Sequence, residues 1–180
     1  MRTIAKYAII FPVLFSLIFI ACDDDLPGLQ EPTFVNVPEP FDITGIEGEE
    51  ITGGAVKYIV EEGYGEDRVV TRDDVEVFMT LRNLDGDIIY SSFQNNSDSP
   101  TAFPVSDANQ VILNRQQDSF GVTRSFTEGL KRGLIGMKRG ERRVIIVPPE
   151  QGFGMIPDGL FNSPFRDDTL RYDITLNHIF

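Results

Sequence analysis

Few side chains in this sequence have the types and spacing for bond-making chemistry. There is one cysteine, Cys22, and one histidine, His178, near opposite ends of the 180 residues. With no second thiol there is no intramolecular disulfide framework and no cysteine-based zinc site. The acids Asp23-Asp24-Asp25 follow the cysteine directly, but three consecutive residues cannot converge on one cation without other ligands, so they read as a solvated run. His178 falls on the inward register of an alternating terminal segment, where a structural role is expected. Neither a metal nor a cofactor is expected.

The informative residues lie elsewhere. Glu128-Gly129-Leu130 leads to Gly136-Met137-Lys138-Arg139-Gly140-Glu141-Arg142-Arg143 and then to Val147-Pro148-Pro149-Glu150-Gln151-Gly152-Phe153-Gly154. Upstream stand Asp85-Gly86 and Ser91-Ser92, and downstream Asp168-Thr169-Leu170-Arg171-Tyr172-Asp173-Ile174-Thr175-Leu176. Each block alone has a plain structural reading, since glycines serve turns and a Pro-Pro pair stops a strand. In this order and spacing they resemble the FKBP-type prolyl isomerases, over roughly Gly54 to Phe180.

The resemblance implies a chemistry that needs no nucleophile and no general base. Rotation about an Xaa-Pro bond meets a barrier of about 20 kcal/mol without breaking a bond. A dry apolar pocket that holds the twisted amide better than the planar one lowers it. Carried over by position, the floor beneath the proline ring falls on Leu130, the aromatic after the Pro-Pro block on Phe153, and a wall aromatic on Tyr172. The backbone amide that receives the substrate carbonyl falls on Phe126 or Thr127. Met79 takes the place of a wall tyrosine, Ile89 that of a phenylalanine, and Tyr90 stands where the family often has an aspartate. Phe103 is either a further wall or a core residue, and Phe161 and Phe165 would overhang the site.

These residues need elements to hold them. Val75, Val77, Met79 and Leu81 alternate with polar positions, which predicts a half-buried strand. Asp85-Gly86 suits a tight hairpin into Ile88-Ile89-Tyr90. Ser125-Phe126-Thr127-Glu128 reads as a capping box opening a helix of about ten residues, with Leu130, Leu134 and Ile135 inward and Gly136 ending it. The cations Lys131, Arg132, Lys138, Arg139, Arg142 and Arg143 read as a solvated face near the helix C-terminus. Arg142 to Val147 and the alternation from Leu170 to His178 predict two more strands. The expected class is α+β, a curved antiparallel sheet of about five strands wrapped around one short helix. The domain is expected over 55–180, with an insertion around 93–123.

The N-terminus carries its own signals. Arg2 and Lys6 precede an almost uncharged run from Tyr7 to Ala21 that contains Pro12 and is shorter than a spanning helix, so it reads as an export signal over 1–21. Phe19-Ile20-Ala21-Cys22 resembles a bacterial lipobox, which implies a lipid on Cys22 and a membrane-anchored mature chain. The acids behind it resemble lipoprotein sorting signals of gram-negative bacteria, which places the chain in the cell envelope, at the outer membrane. Residues 22–54 are rich in Pro, Gly and acid and read as a tether.

The net charge of -12 falls to -14 once Arg2 and Lys6 leave with the signal, which argues against nucleic acid as a partner. The expected partners are proline-containing or unfolded exported polypeptides, and the expected state is a monomer. Three functions fit: a prolyl isomerase that assists the folding of exported proteins, a non-catalytic binding or chaperone module, and a component of an envelope machine.

Overall fold

The computed structural model describes residues 32–105, 112–114, 124–155 and 164–180. The expected signal, Cys22 and the acids behind it lie outside these residues, as does Phe161. In chain order the strands are β1 (Glu49–Ile51), β2 (Ala55–Glu61), β3 (Tyr64–Arg68), β4 (Asp74–Asn83), β5 (Ile88–Ser91), β6 (Thr101–Pro104), β7 (Ile112–Asn114) and β8 (Arg124–Phe126). The helix α1 (Glu128–Leu134) follows, then β9 (Lys138–Arg139), β10 (Arg142–Val147) and β11 (Leu170–Ile179).

Alternation sets the middle of the main sheet. Val75, Val77, Met79 and Leu81 of β4 are all buried on one face, opposite Ile174 and Leu176 of β11. The antiparallel order is β1-β2-β10-β11-β4-β5, with β6 also on β4. The sheet therefore has seven strands where about five were expected, because β1 and the split edge add to the central set. That edge is shared: β5 pairs with Thr80, Leu81 and Arg82, while β6 pairs with Asp74 to Val77. Small two-stranded sheets join β3 to β9 and β7 to β8, so Ile112 and Leu113 of the apolar island fall in a strand inside the expected insertion.

The helix starts two residues later than the capping box implied and is seven residues long. Ser125 is held in β8 by its pairing with Leu113, so Thr127 takes the cap and its Oγ1 accepts the Leu130 amide at 3.2 Å. Gly136 follows with φ +81, the left-handed end foreseen for it. Beside the inward Leu130 and Leu134, two positions that the helix turns to β10 are glycines, and the contact there leaves no room for a side chain. A Cβ on Gly129 would stand 2.5 Å from Val147 Cγ1, and one on Gly133 would strike Ile145.

The cations do not form one solvated face. Lys131 and Arg143 are each only 2% exposed. The Arg143 guanidinium reaches under the helix, donating to the carbonyls of Gly133 at 2.5 Å and Ile135 at 3.2 Å while it pairs with buried Glu141. The carbonyls left over at the helix end attract this cation inward. Burial pushes the Lys131 ammonium below its ordinary pKa, and Glu128 works against that shift.

Two further expectations change. The tether does not run to residue 54, since from Thr33 onward the chain lies on the outer face of the sheet as a strap. The Phe41 amide donates to Asp173 at 2.9 Å, Arg82 donates to the Pro38 carbonyl at 2.6 Å, and the Arg171 guanidinium donates to the Phe41 carbonyl at 2.5 Å. Buried Asp173 also pairs with Arg82 at 2.9 Å. These partners supply the order that the Pro- and acid-rich sequence does not announce. His178 is the second change. The β11 register shifts between Leu176 and His178, which sets His178 opposite Glu76 and gives the inward place beside Val75 to Ile179.

Candidate functional site

The positions assigned to the pocket come together in one apolar cluster between helix and sheet. Met79 (3% exposed), Phe103 (4%), Leu130 (0%), Phe153 (2%) and Tyr172 (1%) all belong to it. Ile89, Tyr90 and Phe165 pack against it partly buried. Leu130 comes from the first turn of α1, Tyr172 from near the start of β11, and Met79 from β4 one strand over. Phe153 stands in a turn of 3-10 helix behind Pro148-Pro149, where the fixed φ of proline ends β10 and redirects the chain. Phe103 sits opposite Val75 on β6, which makes it a core residue. Leu130 is fully covered, so a proline ring reaches it only when a covering group moves aside.

Polar atoms in the cluster pair with each other. The Tyr172 hydroxyl lies 3.1 Å from Thr127 Oγ1, and burial pushes the phenol pKa well above its usual value while the Thr127 bond pulls the other way. Thr127 is thus engaged by side chain and backbone at the start of the helix, directly after Phe126, which ends β8 opposite Ile112. Tyr90 points to Thr101, with its hydroxyl 2.5 Å from Thr101 Oγ1. Ser92 Oγ is 3.4 Å from the same atom and accepts the Met79 amide at 3.0 Å. The aspartate that the resemblance led one to look for here is replaced by a neutral chain of hydroxyls.

One neighbouring feature is announced by no motif. Where β5 and β6 part on the edge of β4 there is a cleft of about 470 Å³, lined by Tyr90, Ser91, Ser92 and, from the following loop, Gln94, Asn95, Ser97 and Ser99 to Ala102. The density of hydroxyls between Ser91 and Thr101 was the available signal. Among the described residues no three His, Cys, Asp or Glu side chains are grouped as a metal site requires, and no helix is long and apolar enough to cross a membrane.

The profile of the FKBP-type peptidyl-prolyl cis-trans isomerases matches residues 65–177. This chain belongs to that family. Its FKBP domain is 48% identical over 56 residues to human peptidyl-prolyl cis-trans isomerase FKBP10, a stretch that covers 31% of this chain and 9% of that protein. Similar solved structures include the three FKBP domains of wheat FKBP73, with a TM-score of 0.51, 22% identity, and coverage of 75% of this chain and 49% of that one. FkpA from Escherichia coli gives 0.51 and 24%, over 73% of this chain and 51% of that one. An isomerase from Pseudomonas syringae pv. tomato gives 0.50 and 20%, over 73% and 80%. At such identities these structures show the shared fold. The FKBP domain thus spans a small part of FKBP10 and about half of the FKBP73 and FkpA chains.

Proposed function

We propose that this FKBP-family chain is a peptidyl-prolyl isomerase that assists the folding of exported polypeptides in the cell envelope, held there by a lipid on Cys22. The observation that carries the isomerase reading is that Met79, Leu130, Phe153 and Tyr172 all belong to one buried apolar cluster, with Tyr172 bonded to Thr127 at the capped start of α1. Once the group covering Leu130 moves aside, a proline ring seated on it, walled by Phe153, Tyr172 and Met79, leaves bulk water behind. The planar amide loses more hydration there than the twisted, less polar one, so the barrier to rotation falls. In this reading the substrate carbonyl is received by the backbone amide of Phe126 or Thr127, and Ile89 and Tyr90, which pack partly buried against the cluster, contribute from β5. The envelope assignment rests on the likeness of Phe19-Ile20-Ala21-Cys22 to a lipobox and on the acids that follow.

A second reading is favoured by one observation. Tyr90 and its bond to Thr101 occupy the aspartate position, and Leu130 offers a smaller floor than an indole, so the groove suits holding a proline segment without turning it over. NMR exchange on short Xaa-Pro peptides separates the two. Acceleration by the full chain that disappears in Phe153→Ala supports the isomerase; binding without acceleration supports the holding module and refutes the isomerase. For the anchor, mass spectrometry of the membrane-extracted protein reads a lipid-sized mass gain that Cys22→Ser abolishes. An unmodified Cys22 in the wild-type chain refutes it.

A further inference from the structure

The cleft at the split edge of the sheet shares a wall with the apolar site. Tyr90 packs against the buried cluster with one side and lines the cleft with another. None of the ten residues lining the cleft is Asp, Glu, Lys, Arg or His, in a chain of which 24% is charged. What they present is hydroxyl and amide: Tyr90, Ser92, Asn95, Ser97, Ser99 and Thr101 among them. Its volume of about 470 Å³ lies within the range of sites that hold small ligands or a few residues of a peptide.

The rim of this cleft is held in place by unusual means. Asn95 and Asn96 both have φ near +57, a conformation that few residues except glycine adopt, with asparagine among the least penalised. The strap fixes both. The Thr33 amide donates to Asn95 Oδ1 at 2.9 Å, the Asn95 amide donates to the Thr33 carbonyl at 2.8 Å, and Asn36 Nδ2 donates to Asn96 Oδ1 at 2.6 Å. Backbone strain that neighbours over-determine in this way is a mark of a site kept in shape ahead of use.

We propose that this cleft is a subsite for the uncharged, hydroxyl- or amide-bearing residues that flank the proline of a substrate polypeptide. The inference rests on the isomerase reading of the adjoining apolar site. A neutral hydroxyl or amide entering the cleft exchanges water for fixed partners at little cost, whereas an ionised flank loses hydration with no counter-charge among the lining residues.

The test uses the full chain and peptides with one common Leu-Pro core. Each carries a Ser-Asn-Thr, Ala-Ala-Ala, Glu-Asp-Glu or Lys-Arg-Lys flank on one side of that core. NMR exchange gives kcat/KM and titration gives Kd. The expected result is that the Ser-Asn-Thr flank is favoured over both charged flanks by about five- to tenfold on one side of the proline, as one or two added hydrogen bonds imply. In the double variant Ser97→Lys, Ser99→Lys, at exposed positions, the acidic flank becomes the favoured one. Equal values for all flanks overturn the subsite, and so does a wild-type preference that persists in the double variant. If no peptide is turned over, the isomerase reading fails, yet the Kd series still decides. The same order of affinities supports the cleft and a flat series overturns it.

Discussion

The hydroxyl of Tyr172 in β11 and Oγ1 of Thr127 at the cap of α1 stand 3.1 Å apart in the dry interior. This bond ties the last strand to the start of the helix, at the point where the candidate site takes both its floor and a wall.

That burial makes Tyr172 a source of alkaline instability. Its folded pKa is raised, so the unfolded chain gives up the proton first, near the ordinary value of about 10, while the folded chain retains it. The stabilising effect is complete below about pH 10 and fades as the pH climbs from there, by at most about 1.4 kcal/mol per pH unit. Tyr172→Phe is expected to lose about 1 kcal/mol at neutral pH with the hydrogen bond and to flatten this alkaline slope. Urea unfolding of both proteins at neutral pH and above pH 10 checks it; an equal slope in the two would refute it.

Asp173 is the anchor of the strap. Removing its carboxylate in Asp173→Ala leaves the Arg82 guanidinium buried without its counter-charge and the Phe41 amide without its acceptor. A loss of about 3–5 kcal/mol is expected, with faster hydrogen exchange at Phe41. The apolar pair Arg82→Met with Asp173→Leu should recover much of the stability but not the slow exchange. Stability within error of wild type in Asp173→Ala would show that the strap is not held as described.

Helix propensity favours alanine over glycine by about 1 kcal/mol, and the packing here opposes it. Gly133→Ala is expected to destabilise by about 1–3 kcal/mol, because its methyl group meets Ile145 across the helix and sheet contact. Thermal unfolding gives the sign directly. A stabilised variant would mean that the helix stands farther from β10.

At the rim of the cleft, Asn95→Gly and Asn95→Ala both lose the bond to Thr33, yet only alanine opposes a φ of +57. Alanine is expected to be the less stable by about 1 kcal/mol. Equal chemical-denaturation midpoints for the two would show that the left-handed turn is not kept in solution.

Much of this architecture could be read in advance where one physical rule acted alone. The alternation of Val75, Val77, Met79 and Leu81 was followed faithfully, as was that from Leu170 to Leu176. So was the left-handed stop at Gly136, and Leu130, Phe153, Tyr172 and Met79 all fall in the buried apolar core. The misses arise where a distant partner outvotes a local pattern. Ser125 and Thr127 are both good caps, and only the strand pairing of Ser125 decides between them. One inserted residue, Asn177, turned His178 away from its predicted face. Lys131 and Arg143 look like surface residues until the helix carbonyls and Glu141 are placed around them. The strap is the extreme case, because its order comes from charges more than 40 residues away in sequence, at buried Arg82 and Asp173 and half-buried Arg171.

The strap also defines how the domain bears mechanical tension. A pull on the chain ahead of Thr33 does not reach the sheet at once. It falls first on Asn95 and Asn96, then on the Arg82 contact at Pro38, and last on Asp173 and Arg171 at Phe41. The outermost of these links are exposed and individually weak, while the innermost are buried and charged. Under load, the turn at the cleft rim would loosen while β4, β10 and β11 remain paired, so a modest force would act on the shape of the cleft long before it threatened the fold.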